Sequence, residues 1–405
     1  MIVPGLADRL EGVEESAATA MAETARRLRA EGVEVISLAV GEPDFPTPPH
    51  VLAAATLAAE GGDTRYPPVA GTAALKAAVQ RKFRRDNGLD YAPDEILITN
   101  GAKQAIFDAF MATCNPGDEV IIPTPAWISY RDMAKFAGAK PVFVPCPQNR
   151  GFRLQPAALA VAITPRTKWL LLNFPGNPTG AACSWADMQA LTDVMMRHPH
   201  VWIMTDDIYE HLLYDDASFC TVAQVEPRLR ERTLTVNGVS KAYAMMGWRV
   251  GFCGGPRRLI RAMENVQGQS TNGISTIGQA AAVAALDGPQ DLLRERAATY
   301  RARRDVVVSL LNGVPGLSCH KPEGAFYVFV NVAGCLEKTS GGGRRIVTDT
   351  DFATALLEEK HVATVQGAAY GASPYVRLSC ATDEASLRKA CDRIRAFCLD
   401  LTAAG

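Results

Sequence analysis

Apolar residues recur at helical spacing through residues 16 to 31 and stop at Gly32, which predicts a helix there. VEVISLAV (33–40) reads as a strand, and the GEPDFPTPP that follows is too rich in proline to continue as helix or central strand. A helix is predicted from about His50. After the loop GGDTRYPPVAG, Thr72 caps a helix over 73–86 that ends at Asn87-Gly88. Strands and helices then alternate. EILIT (95–99) meets a turn at Asn100-Gly101 and a helix to Cys114; NPGDEVIIP is a turn and a buried strand. PVFVP, WLLLNF (169–174), VWIMTD (201–206), TLTV (233–236) and WRVGFC (248–253) are further short β-rich runs. This alternation predicts an α/β fold with a mainly parallel sheet covered on both faces.

After about residue 290 the texture changes. A long Arg- and Ala-rich helix, ERAATYRARRDVVVSLLN, leads into the strand GAFYVFVNV. KTSGGGRRIVTD (338–349) reads as an exposed loop, Asp349 as the cap of a helix through Glu359, and VRLSC (376–380) as a strand before a terminal helix. The expected division is an N-terminal arm (1–45) that joins a smaller α+β domain (296–405), with the large domain at 46–295.

At 405 residues, two or three structural units are expected. The formal net charge of -1 gives no electrostatic case for nucleic acid or an anionic membrane. No apolar run approaches the roughly 20 residues that span a bilayer, and MIVPGLADRLEGVEE has no signal-peptide pattern. Ten cysteines occur without a CxxC pair and read as buried hydrophobes in a reducing, cytoplasmic setting. The six histidines form no HExxH pattern, so no metal site is expected. Neither a GxGxxG after a strand nor a Walker loop is present, which argues against nicotinamide and nucleotide triphosphates.

In a doubly wound sheet, ligands bind beyond the carboxyl ends of the strands. Those ends carry Gly101-Ala102-Lys103, Pro175 to Gly180, Asp206 to Tyr209 and Asn237 to Lys241. Gly101 opens a helix whose first amides suit a phosphate. Asp206 can pair with a protonated ring nitrogen, Asn177 and Tyr209 can donate to a phenolate, and Arg249 can neutralise phosphate with its planar fork. Lys241, in apolar surroundings near a second cation, is expected to have a depressed pKa, suited to a Schiff base and to proton transfer. Each of these also has a plainer reading: a helix cap for Asp206, a turn for Asn177, an ion pair for Arg249, a snorkelling surface residue for Lys241.

GVSKAYAMMGWRVG resembles the lysine signature of class I pyridoxal-phosphate aminotransferases. NFPGNPTG, TDDIYEHLLY, AVGEPDFPTP and YVRLSCA match further motifs of that family, in order over nearly the whole chain. The resemblance implies a fold-type-I transferase, with a seven-stranded mainly parallel sheet between helices and a smaller α+β domain, and a ping-pong transamination with pyridoxal 5'-phosphate. It implies that Lys241 carries the Schiff base and that Asp206 holds the pyridine nitrogen protonated. It further implies that Asn177 and Tyr209 contact the ring oxygen, that Trp127 stacks on the ring, and that Gly101, Ala102, Ser240 and Arg249 surround the phosphate. Tyr66 is implied to reach the phosphate in the partner subunit of a homodimer. Gly41 and Arg377 are implied to bind the α-carboxylate.

Lys103 and Ser16 match residues near the substrate tail in the bacterial aspartate branch, which implies aspartate or glutamate with oxaloacetate or 2-oxoglutarate. Three departures stand out: Glu15 in place of a proline, Ala126 in place of an aromatic residue, and Gly238 where many relatives have a phosphate-binding serine. An aromatic, prephenate or neutral amino-acid aminotransferase is the alternative on the same fold. A β-lyase on the same cofactor and a cofactor-binding regulatory domain rank below it.

Overall fold

Successive residues of a strand face opposite sides of a sheet, and in this chain both sides of the main sheet are apolar. The computed structural model describes residues 5–10, 13 and 17–403, without the side chain of Ala18. The strands in chain order are β1 (Ile36–Ser37), β2 (Ile96–Thr99), β3 (Glu119–Thr124), β4 (Lys140–Pro145), β5 (Thr167–Leu172), β6 (Trp202–Asp206), β7 (Thr233–Gly238) and β8 (Gly251–Gly254). β2 to β8 form one seven-stranded sheet in the order β2-β8-β7-β6-β5-β3-β4. It is parallel except for β8, which runs antiparallel to both β2 and β7. Leu97, Val120, Ile122, Leu171 and Met204 pack on one side against the helices Ala102–Thr113, Ser129–Phe136 and Arg257–Gly268. Ile121, Leu170, Leu172 and Ile203 pack on the other against the helix Trp185–Met196. The mainly parallel, doubly covered sheet read from the sequence is therefore present.

The C-terminal region adds β9 (Ser318–Cys319), β10 (Tyr327–Asn331), β11 (Lys338–Thr339), β12 (Arg345–Ile346), β13 (Val362–Ala363), β14 (Val365–Gln366), β15 (Tyr375–Ser379) and β16 (Thr402–Ala403). β14-β15-β10-β9 make an antiparallel sheet, packed with the helices Asp291–Asn312, Asp349–Lys360 and Glu384–Leu399 around Val328, Val330, Val376 and Leu378. β1 pairs in parallel with β13, which ties the N-terminal segment to this second core.

Several local readings need correction. VEVISLAV contributes only Ile36–Ser37 as strand, because its partner β13 is itself two residues long. The helix from Ala73 is α-helical to Lys82 and then widens to a π-turn over Phe83–Asn87, closed by Gly88 at φ +64°. WRVGFC becomes strand only from Gly251; Met246–Trp248 form a 3-10 turn, and Arg249 takes a left-handed φ of +56°. Residues 338–349 are not a plain loop. β11 and β12 pair around the glycine turn, β16 pairs with β11, and Ile346 is buried. Thr348, not Asp349, caps the helix Asp349–Lys360, accepting from the Asp351 amide at 3.1 Å. Asp349 turns inward instead, accepting from the amides of Ala368 (3.1 Å) and Tyr375 (3.2 Å).

Among the described residues no helix is long and apolar enough to cross a membrane. All ten cysteines are free.

Candidate active site

The sheet changes its direction of winding between β3 and β5. The chain passes outward from β3 to β4 and returns to β5 on the other side of β3. The crevice beyond such a switch is where open α/β sheets place ligands. A cleft of about 820 Å³ opens there. One wall comes from the ends of the main strands. The other comes from Ala39 to Glu42, Tyr327 and Arg377.

Asp206 ends β6 on the cleft floor and is 4% exposed. One carboxylate oxygen, Oδ2, accepts from the Tyr130 phenol at 2.6 Å; Oδ1 is buried and has no partner. Burial pushes the carboxyl up to about 6, while the Tyr130 hydrogen bond, the Ile208 amide and the charge of Lys241 pull it down. Lys241 also lines the floor, and its Nζ donates to the Gly41 carbonyl at 2.7 Å. Its amine falls to about 8, first through burial and then through the cations Arg377 and Arg249, against the opposing pull of Glu42 and Asp206. One cavity thus holds an unpaired carboxylate oxygen and an amine that loses its proton more readily than an ordinary lysine.

Arg377 comes from β15, in the middle of the smaller sheet. It donates to Asn177 Oδ1 at 3.0 Å and to the Ala39 carbonyl, and it lies 4.5 Å over the Tyr327 ring. Its Nε is buried and unpartnered, so the guanidinium keeps donor capacity for an anion. Tyr209 shares a 2.9 Å hydrogen bond with the Tyr327 hydroxyl, and both line the cleft. Tyr327 also explains Gly41: a Cβ there would stand 2.6 Å from its hydroxyl oxygen.

Gly101 turns β2 into the helix Ala102–Thr113 with φ +76°, and the first amides of that helix have no carbonyl within it to bond. Arg249 packs on this turn and donates to the Met246 (2.8 Å) and Asn100 (3.3 Å) carbonyls. A Cβ at Gly101 would approach Arg249 Nη2 to 2.4 Å. We therefore expect Gly101→Ala to strain the turn, displace the guanidinium and weaken binding of a phosphorylated ligand about tenfold or more, read by equilibrium titration. Lys103 Nζ lies 4.8 Å over the Trp127 ring, and burial, then Arg249, lower its pKa. Gly238 is tightly enclosed. A Cβ would meet the Val250 carbonyl at 3.1 Å and Gly251 Cα at 3.2 Å, so the β7–β8 contact leaves little room for a serine.

Residues 33–394 match the family Aminotransferase class I and II. The chain belongs to this family. An aspartate aminotransferase of Rhizobium meliloti (strain 1021) is 54% identical over 392 residues, 97% of this chain and 96% of that protein. An aspartate/prephenate aminotransferase of Cereibacter sphaeroides is 52% identical over 397 residues, 98% and 99% of the two chains. The solved aspartate aminotransferase from Rhizobium meliloti superposes with a TM-score of 0.96 at 52% identity, covering 99% of this chain and 100% of that one. The fold is that of the class I aminotransferases, and transamination is the activity.

The aminotransferase cleft gathers most of the residues singled out in the sequence. Gly41, Ala102, Lys103, Trp127, Asn177, Asp206, Tyr209, Ser240, Lys241, Arg249 and Arg377 line it, with Gly101 directly behind Arg249. Tyr66 is not on this wall; it is 92% exposed on its loop. Ser16 lies outside the described residues. Sequence reasoning missed Tyr130, Asn173, Tyr327, Glu42 and Arg26, all of which line the cleft. Asn173 had a signal, the asparagine four residues before Asn177 at the end of the same strand: its Oδ1 accepts from the Asn177 amide at 3.0 Å and its Nδ2 donates to the Asp206 carbonyl at 2.7 Å. Tyr130 and Tyr327 had none, since each occupies a position that reads equally well as core.

Proposed function

We propose that this aminotransferase holds pyridoxal 5'-phosphate on Lys241 and moves an amino group between aspartate or glutamate and oxaloacetate or 2-oxoglutarate. The observation that carries the cofactor is the orphaned, buried Asp206 Oδ1 beside an amine lowered to about 8. An unpaired buried acceptor calls for a donor, and a pyridinium N–H supplies one. Arg249 with the Gly101 helix start suits the phosphate, together with Ala102 and Ser240. Trp127 would lie against the ring, and Asn177 and Tyr209 would donate to its phenolate oxygen. When bound, the cofactor supplies an aldehyde for amines and a ring that withdraws electrons from the α-carbon.

The chain's own residues do the rest. Gly41 and Arg377 would bind and orient the α-carboxylate. Lys241 Nζ would take the α-proton and return it elsewhere, a role served by an amine near neutral pKa. Asp206 would keep the ring nitrogen protonated and so act on the barrier rather than on binding alone. Borohydride reduction followed by peptide mass analysis tests the cofactor: an adduct at position 241 is expected, and its absence would overturn the reading.

The two relatives' names support a dicarboxylic substrate, and Lys103 offers a cation for the distal carboxylate; the family resemblance adds Ser16 to that reading. Lys103→Ala is expected to lower kcat/KM for aspartate by roughly 10- to 100-fold, the range of a lost charge-assisted hydrogen bond, with little effect on alanine or phenylalanine. Half-reactions with single amino acids, followed by cofactor absorbance, decide it; equal losses on every substrate would remove Lys103 from the tail site. Prephenate is the second reading, carried by the name of the Cereibacter relative.

We also propose a homodimer in which exposed Tyr66 completes the partner's phosphate site. The proposed domains are 46–295 and 296–405, the latter joined by the arm 1–45. A cytoplasmic location is supported by the ten free cysteines.

A further inference from the structure

We propose that Tyr130 is a positioning residue that sets the protonation of Asp206: its phenol occupies one carboxylate oxygen and reserves the other for a ring N–H. This deepens the pyridoxal phosphate reading and rests on it. Tyr130 is 1% exposed and donates to Asp206 Oδ2 at 2.6 Å, the length of a charge-assisted O–H···O bond. The phenol has little freedom to turn away. Its ring meets Trp127 edge-to-face at 5.3 Å, and its amide donates to the Trp127 carbonyl at 3.1 Å. The main chain that carries the carboxylate is held as well, since Asn173 Nδ2 donates to the Asp206 backbone carbonyl at 2.7 Å.

The hydrogen-bond arithmetic gives this contact its consequence. A carboxylate with Oδ2 taken by a donor has Oδ1 as its remaining acceptor. If Asp206 became neutral, its proton would sit on Oδ1, and the acid would then present a donor where a ring N–H needs an acceptor. Tyr130 favours the ionised form and so opposes that state. The other titratable groups around Asp206 are Lys241, whose charge also favours the anion, and its neighbours Asp207 and Tyr209. Burial, then the Glu210 charge, drive Asp207 well above the usual carboxylate range, and burial, then the Tyr327 phenol, drive the Tyr209 phenol up, so neither shift favours a charged form beside Asp206. Tyr130 is likewise pushed well above its ordinary value, mainly by burial and the Asp206 charge, and remains a donor.

The test is Tyr130→Phe, which removes one oxygen and keeps the ring. With cofactor labelled by nitrogen-15 in the ring, the wild type is expected to show a protonated ring nitrogen through neutral pH. In Y130F the proton moves toward Asp206, and the nitrogen's apparent proton affinity falls about tenfold, the scale of one hydrogen bond to a charged group. kcat should fall by a similar factor while KM for the amino acid stays within about twofold. A fluorinated tyrosine at 130, a stronger donor of nearly equal size, should shift the titration the opposite way, and it decides the matter if Y130F does not fold. A nitrogen titration unmoved in either variant overturns the role of Tyr130 alone. A wild-type protein that takes up no cofactor overturns the pyridoxal phosphate reading and this proposal together.

Discussion

Lys241→Ala should abolish measurable turnover, lowering kcat by about 10²–10⁴-fold through lost proton transfer alone, and by more once the covalent link to cofactor is gone. Lys103, the other primary amine on the cleft wall, is held over Trp127 and does not replace it. Single-turnover spectra with aspartate measure the effect, and retention of more than about a tenth of wild-type rate would remove Lys241 from its role. The pH dependence has a definite sign. Below about 8 the amine is protonated and cannot attack an aldehyde, so capture of cofactor by the apoprotein should rise about tenfold per pH unit and level off above 8. Because the folded-state pKa lies below the ordinary lysine value of 10.5, the unfolded chain binds more protons between about 8 and 10.5, and folding stability gains from this group as pH rises through that window. Below 8 the buried ammonium is a burden. The K241A apoprotein should therefore melt no lower than the wild type at pH 7, which separates a catalytic loss from a folding loss.

Lys82→Met should destabilise the protein by about 3–5 kcal/mol, the scale of an uncompensated buried charge. Lys82 is 2% exposed and Glu210 5%, and they form an ion pair behind the cleft. Asn87 bridges them, accepting from Lys82 Nζ at 2.7 Å and donating to Glu210 Oε2 at 2.7 Å. Asn237 Nδ2 donates to Glu210 Oε1 at 2.8 Å, while its Oδ1 accepts from the Gly238 amide at 2.7 Å. The network thereby reaches β7 three residues before Ser240 and four before Lys241. Burial pushes the Glu210 carboxyl up, but Lys82, His211 and Asn87 outweigh it and hold the group below the usual range. Burial disfavours the charged form of His211, yet Glu210 and Asp86 raise it to about 9. Its contribution to stability is full below about pH 6.5 and fades as pH rises to 9, whereas that of Glu210 is lost as pH falls below about 4.5. Urea midpoints for K82M and for K82M combined with Glu210→Met measure the pair: the double variant should recover most of the loss, and a single-variant change under about 1 kcal/mol would exclude the pair as a stabilising centre.

The same region shows how far the sequence could be read. TDDIYEHLLY marked Asp206 and Tyr209 as strand-end residues, because a β-rich run followed by polar side chains exposes them at the carboxyl edge of a parallel sheet. Nothing in that string told which carboxylates remain charged. Asp206 keeps one bare oxygen, Asp207 is pushed well above the usual carboxylate range by burial and Glu210, and Glu210 is held below it by Lys82, 128 positions away by numbering. Arg249 was legible as a lone cation in an apolar run, but its left-handed backbone was not, since the strain is sustained by packing against Gly101 from a distant segment.

The alternation of strands and helices, the lysine, the strand-end acids and the glycine turn were legible in the string of residues, because period, turn chemistry and local composition act over a few positions. Which groups meet was settled by folding: Arg377 with Asn177, Tyr209 with Tyr327, Tyr130 with Asp206, and Lys82 with Glu210. Charge state and hydrogen-bond vacancy depend on what surrounds an atom in space, and those neighbours come from segments that the chain brings together only when it folds.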